Sequence, residues 1–121
     1  MQALVVDDSG AMRRIQQKML ESLGWEVKTA TNGEEALVAL NGLPDCRLML
    51  ADWHMPVMDG LELCRAVRRD GRYARLCIVM VSSDGVIDSV QNALAAGANE
   101  FIIKPFTADA LVCRIEEAMR G

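Results

Sequence analysis

Residues 48–60 read Leu-Met-Leu-Ala-Asp-Trp-His-Met-Pro-Val-Met-Asp-Gly. Four apolar residues without a polar interruption, closed by Asp52, have the length and composition of a strand buried on both faces, as in a parallel sheet covered by helices. The same pattern recurs at Ala3 to Val6, Cys77 to Val81 and Phe101 to Ile103, and in weaker form at Val27 to Ala30. Lys28 and Thr29 mark that last run as an edge strand. Between the runs lie segments of helical period. Met12, Ile15, Met19, Leu20 and Leu23 are spaced as one apolar face opposite Arg13, Arg14, Gln17 and Glu21, and Gly24 supplies the stop. Asn32 with Glu35 resembles a capping box. Asp59 or Gly60, Ser83 or Asp84, and Thr107 are candidate starts for later helices, and Leu111, Ile115 and Ala118 or Met119 share a face of the last one. Five strands alternating with five helices predict an α/β doubly wound parallel sheet, because right-handed crossovers place helices on both faces.

The chain has 121 residues, about half of them apolar, which suits one domain spanning 1–121. A net charge of −4 gives no general attraction to nucleic acid or anionic lipid. No apolar run is long enough for a membrane span, and no targeting segment precedes the first strand. Cys46, Cys64, Cys77 and Cys113 form no C-x-x-C pair, so they read as small buried hydrophobes in a reducing compartment. The eight methionines fall mostly on helix faces and strands and read as core.

In a doubly wound sheet, ligands bind beyond the carboxyl ends of the strands. Asp7 and Asp8 follow the first run, Asp52 the third, Ser82 and Ser83 the fourth and Lys104 the fifth. Such a fold would gather three carboxylates, a hydroxyl and an ammonium at one sheet edge. Asp7 and Asp8 could also serve only as helix caps. Clustered carboxylates repel one another unless a cation neutralises them, and an all-oxygen donor set with room for water suits Mg²⁺ better than zinc.

The blocks Val5-Val6-Asp7-Asp8-Ser9, Asp52 through Gly60, Val81-Ser82 and Lys104-Pro105-Phe106 resemble, in order and spacing, the receiver domains of response regulators. The resemblance covers the whole chain. Met12-Arg13-Arg14-Ile15, Trp53 and Lys104-Pro105-Phe106-Thr107 are similar to the single-domain chemotaxis members of that family. It implies a flavodoxin-like sheet of order 2-1-3-4-5. It implies Asp52 as phosphoacceptor, taking the group from a phosphohistidine on a sensor histidine kinase or phosphotransfer protein in the cytoplasm. Mg²⁺ would be held by Asp8, Asp52 and the backbone carbonyl of His54, with Asp7 acting mostly through water. Lys104 and Ser82 would stabilise the phosphoryl oxygens, with Ser83 the alternative hydroxyl, and the Lys104–Pro105 bond would be cis. Ser82 and Phe101 would form the switch, although Phe101 also fits a plain core position.

His54 stands where the chemotaxis members usually carry Asn. As the sole histidine it could read as catalytic, but a side chain at the pocket rim accounts for it. An aspartyl phosphohydrolase would resemble D-x-D-x-[TV], which Asp52-Trp53-His54 does not. A degenerate receiver would lack part of the set Asp7, Asp8, Asp52, Ser82 and Lys104, and a flavin carrier would need a phosphate-cradling loop after the first strand. The resemblance implies a signalling protein that promotes its own phosphorylation and dephosphorylation. Its downstream target is not specified, and the chain reads as a stand-alone regulator or a receiver cut from a longer protein.

Overall fold

The computed structural model describes residues 1–83 and 87–120. Strands β1 (Gln2–Val6), β2 (Glu26–Ala30), β3 (Cys46–Asp52), β4 (Cys77–Ser82) and β5 (Glu100–Ile103) pair in parallel in the order β2-β1-β3-β4-β5. Helices α1 (Gly10–Ser22), α2 (Gly33–Asn41), α3 (Gly60–Arg69), α4 (Ile87–Ala95) and α5 (Ala108–Arg120) connect or follow them. A 3-10 turn at Gly71–Tyr73 links α3 to β4.

Alternation along the strands divides the core into two layers. Ala3, Val5, Leu48, Leu50, Val79 and Val81 face α1 and α5, where Leu20, Leu111 and Ile115 close the layer. Leu4, Val6, Met49, Ile78 and Met80 point the other way, toward Ala36 and Leu40 of α2, Leu63 and Val67 of α3, and Ala93 of α4. Continuous apolar runs are thus the sequence trace of the central strands β1, β3 and β4, which have no solvent face; β5, at the other edge, carries such a run too, and its Ile103 is 47% exposed. β2 is indeed an edge, and its Lys28 and Thr29 are exposed.

The helix signals resolve in detail. Ser9 caps α1 by accepting from the Met12 N–H at 3.3 Å. Gly24, at φ +94°, ends that helix with its own N–H on the Glu21 carbonyl and the Trp25 N–H on that of Leu20, a Schellman arrangement. Asn32 caps α2, but the Glu35 side chain reaches past it to the Thr31 N–H at 3.0 Å, so the box is displaced by one residue. The reciprocal box forms instead at Asp59 and Glu62, the start of α3. Thr107 caps α5 through the Ala110 N–H. Asp84, a candidate start for α4, lies outside the described residues.

Two expectations need correction. Of the expected face of α1, Leu20 is buried and Met12 and Met19 are half-buried, but Ile15 and Leu23 are 47% and 43% exposed, and Gln16, read as part of neither face, is buried in line with Leu20. Hydrophobicity misread the face because a glutamine occupies a buried position. Of the cysteines only Cys64 is fully buried; Cys46 and Cys77 are half-buried and Cys113 is exposed.

Gly60 holds the start of α3 against the end of β3. Its N–H donates to the Trp53 carbonyl at 2.8 Å, and a Cβ at this position would lie 2.4 Å from the Asp52 carbonyl oxygen and 2.8 Å from Met80 Cε. Gly60→Ala should therefore destabilise the fold by about 1–3 kcal/mol, the usual range for overpacking, read from the urea midpoint. A change within a few tenths of a kcal/mol would show that the helix start shifts freely away from Asp52.

Candidate functional site

The carboxyl ends of β1, β3 and β5 bring their terminal residues together. The Asp7 N–H extends the β1–β2 ladder by donating to the Ala30 carbonyl at 3.1 Å, which fixes its backbone before the chain turns into α1. Its side chain is fully buried. Oδ1 accepts from the Ser9 N–H at 2.9 Å, and Oδ2 accepts from Gln16 Nε2 at 3.3 Å. Arg13 Nη1 donates to the Asp7 carbonyl at 2.8 Å. Asp8, next in sequence, is exposed.

Asp52 ends β3 and is 5% exposed. Its Oδ1 lies 2.9 Å from Lys104 Nζ, which also stands 3.8 Å from Asp7 Oδ2. Asp7, Asp8 and Asp52 each offer a carboxylate oxygen, and these atoms all lie within 4.8 Å of one another. One ammonium among three carboxylates leaves a surplus of negative charge. Burial pushes the Asp52 carboxyl above its ordinary value and the charges of Asp7 and Asp8 add to that, while the Lys104 hydrogen bond and charge oppose it. An all-carboxylate donor set, with no thiolate or imidazole ligand in it, suits a hard divalent cation.

Lys104 is aimed by the backbone. Its N–H donates to the Ser82 carbonyl at 2.8 Å, tying the end of β5 to the end of β4, and the Lys104–Pro105 peptide is cis. Ser82 is fully buried and pairs in register with Ile103. Trp53 continues the sheet through its N–H to the Val81 carbonyl at 2.9 Å. The Trp53 ring stacks on the exposed His54, with centroids 6.3 Å apart, and meets Phe101 edge-on at 6.1 Å. Phe101 is 6% exposed, so its ring already lies inside in this state.

Asp7, Asp52 and Lys104 are thus brought into contact, Asp8 stands at the rim, and Ser82 ends the neighbouring strand. Sequence reasoning missed Gln16 and Arg13, whose side chains hold Asp7. The available signal was the spacing Met12, Gln16, Leu20, a row one turn apart in which the polar member points back to the end of β1.

A family model described as the response regulator receiver domain matches residues 3–116. The chain belongs to this family. Curated relatives include chemotaxis protein CheY1 of Helicobacter pylori, 43% identical over 96% of this chain and 94% of that protein. The Campylobacter jejuni CheY homologue is 42% identical over 98% and 92% of the two chains. Among solved structures, Vibrio cholerae CheY4 superposes with a TM-score of 0.90 at 32% identity, covering 97% of each chain. A response regulator from Chloroflexus aurantiacus gives a TM-score of 0.92 at 31% identity, over 99% and 98%. The chain is therefore a receiver of CheY type, and its family places it in two-component signalling. No helix among the described residues is long and apolar enough to cross a membrane.

The receiver's charge surplus has a thermodynamic consequence. A raised folded pKa at Asp52 means that, as pH rises past the ordinary carboxylate value of about 3.9, the unfolded chain releases its proton before the folded one does. Stability falls across that window, and the cost remains in full above the raised pKa. Asp52→Asn should therefore unfold at a higher urea concentration than the parent at pH 7, with the gap closing as pH falls below the ordinary value. An unchanged midpoint at pH 7 would mean that the carboxylate is not under strain. Carboxyl ¹³C titration should show the Asp52 midpoint rising further in Lys104→Met and falling in Asp7→Asn.

Proposed function

We propose that this receiver accepts a phosphoryl group on Asp52 from a phosphohistidine of a sensor histidine kinase or phosphotransfer protein, and that it does so in the cytoplasm. The observation that carries the reading is the Lys104 Nζ to Asp52 Oδ1 contact of 2.9 Å inside a cluster of three carboxylates. A carboxylate oxygen of Asp52 would attack phosphorus as the P–N bond to the donor imidazole breaks, and the departing imidazole then takes a proton from water. Little covalent chemistry is asked of the protein, so rate comes from alignment and from positive charge on the transferred oxygens.

Asp8, Asp52 and the backbone carbonyl of His54 would hold Mg²⁺, with Asp7 reaching it through water. The ion would supply charge neutralisation for both the carboxylates and the phosphoryl oxygens. Lys104 would move with the developing charge, from a carboxylate oxygen to a phosphoryl oxygen. Ser82 would donate its hydroxyl to another. Gln16 holds Asp7 in place by donating an uncharged hydrogen bond to Oδ2. His54, exposed at the rim, leaves its backbone carbonyl to do the binding. Later attack by water on the acyl phosphate would return the receiver to its starting state, so the protein promotes both gain and loss of the group. His54 and Asp84, two residues beyond Asp52 and Ser82, are the side chains placed to influence that hydrolysis, and Asp84 lies outside the described residues.

Output would follow from the Ser82–Lys104 backbone link. Drawing Ser82 and Lys104 toward the phosphoryl oxygens strains the β4–β5 end and biases Phe101, whose ring already packs inward against Trp53, toward that inward state. The affected face is formed by α4, β5 and α5, where Val90, Leu94, Ile103 and Ala110 help line a groove of about 620 Å³. A downstream protein would dock there. Because a ligand shifts a conformational equilibrium only by its differential affinity, the inward state must be populated beforehand, in keeping with the buried ring.

Mg²⁺-dependent labelling by acetyl phosphate tests the acceptor. Asp52→Asn should lose it entirely, whereas stable label at the parent level would overturn the assignment. Mg²⁺ affinity, read from Trp53 emission in a Trp25→Phe background, should begin to weaken, as pH falls, above the ordinary carboxylate value of about 3.9, since the raised Asp52 pKa brings protonation into competition with the ion. The same pH profile in Asp52→Asn would remove Asp52 from the ligands. For the switch, beryllofluoride with Mg²⁺ should shift the amide resonances of Phe101 and of α4 and α5, and Ser82→Ala should confine the shifts to the site. Shifts that never leave the site in the parent would refute the relay.

A further inference from the structure

The receiver's charge is distributed in two blocks. Residues 65–75 read Arg-Ala-Val-Arg-Arg-Asp-Gly-Arg-Tyr-Ala-Arg and hold five of the chain's 13 basic residues against one of its 17 acidic ones. That stretch carries +4 in a chain of −4, so the other residues together carry −8. The stretch forms the second half of α3, the 3-10 turn and the approach to β4, at the end of the sheet opposite the carboxylates.

Arg68 is consumed internally, donating to the carbonyls of Gly97 and Tyr73 and to Asn99 Oδ1 at 2.8–3.0 Å. Arg65, Arg69, Arg72 and Arg75 are exposed, as is Arg47 at the start of β3. Arg72 pairs with Asp70 at 2.7 Å. No hydrogen bond or ion pair among the described residues engages the other four. Arg47 and Arg75 line two clefts at once, of about 330 and 170 Å³. Complementing the carboxyl end of α3 would account for Arg69. It does not account for Arg47 or Arg75, which lie on no helix.

We infer that this arginine edge is a docking surface for an acidic segment of a partner polypeptide, engaged whether or not Asp52 carries a phosphoryl group. The track runs from α3 through the turn to the starts of β4 and β3, longer than one phosphate or carboxylate requires. Leu76, Pro44 and Met119 give the clefts apolar wall for the side chains between acidic residues. Nucleic acid fits less well. Its dense charge would meet a surface that is otherwise acidic, and Tyr73, the aromatic ring at this edge, already lies beneath the Arg72 guanidinium at 5.1 Å from its centroid, so it is not open to a base. Independence from phosphorylation follows from position. Arg47 and Asp52 are five residues apart along β3, roughly 16 Å at about 3.3 Å per residue, on a strand packed on both faces.

The test is fluorescence anisotropy of the full chain with a labelled dodecapeptide of alternating glutamate and alanine. Binding should appear, weaken with added salt, and drop at least tenfold in Arg47→Glu/Arg75→Glu, with a smaller loss in the Gln pair and unchanged circular dichroism. Lys28→Glu, one of the same charge reversals placed on the far edge strand, should shift affinity less than twofold. Mg²⁺ with beryllofluoride should also leave it within twofold. No binding, equal loss in Lys28→Glu, or a tenfold effect of beryllofluoride would overturn the proposal. So would tighter binding of a 12-nucleotide single strand, which would make nucleic acid the occupant, or self-association abolished by the arginine variant, which would make it a second copy.

Discussion

One ammonium faces three carboxylates at the end of this sheet, and much of the architecture around that edge serves to hold them there against their repulsion. Such a cluster would scatter if any member were free to turn outward. Asp7 is held by a backbone N–H, a buried amide and the ladder to β2; Asp52 is held by a strand with neighbours on both sides. Only Asp8 has water as an alternative. The stress falls on Asp52, whose carboxyl is shifted toward the protonated form by burial first and by the charges of Asp7 and Asp8 after it, despite Lys104 beside it. A divalent cation or a phosphoryl group would relieve that stress by different routes, the first by adding positive charge and the second by drawing Lys104 to new oxygens.

Lys104 joins this electrostatic problem to the mechanical one. Its side chain answers the carboxylates while its N–H is bonded to the carbonyl of Ser82, so a change in where the ammonium rests pulls directly on the end of β4. Behind that junction, Phe101 and Trp53 meet edge to face, and Trp53 follows Asp52 in the chain. Asp52, the lysine and the aromatic pair are thus linked by backbone and by ring contact with no mobile linker between them. Close packing of this kind favours a small number of discrete arrangements over continuous deformation.

The runs of β1, β3, β4 and β5 and their carboxyl-end polar residues were legible because a parallel sheet covered by helices leaves a strong signature: apolar stretches with no alternation, each closed by a polar residue of the candidate site. Leu48 to Asp52 is the clearest case. Strand order was not in the runs themselves and came from the resemblance of the blocks around Asp7, Asp52, Ser82 and Lys104. The face of α1 was misread for a physical reason, since hydrophobicity cannot rank a glutamine whose burial is justified by a carboxylate on another element. Gln16 reads as surface until Asp7 is seen beside it. Asp59 and Glu62 had the spacing of a capping box, but Asn32 and Glu35 offered the same spacing, and only the backbone geometry separates the two.

The two ends of the sheet carry opposite tasks because the fold gives them opposite dipoles. Strands run toward the acidic edge while helices start there, so helix amino ends surround the carboxylates and carboxyl ends gather at the arginine edge. The amino ends of α1 and its neighbours favour negative charge, which helps a crowded set of carboxylates persist; the carboxyl ends favour the guanidinium groups of Arg68 and Arg69. The fold thus keeps the carboxylate cluster and the arginine edge apart on one small body, with the sheet as the spacer. Arg68 shows how little slack lies between them. By bonding to Gly97, Tyr73 and Asn99 it pins the turn before β5 to the turn before β4, at the end of the sheet away from Ser82 and Lys104.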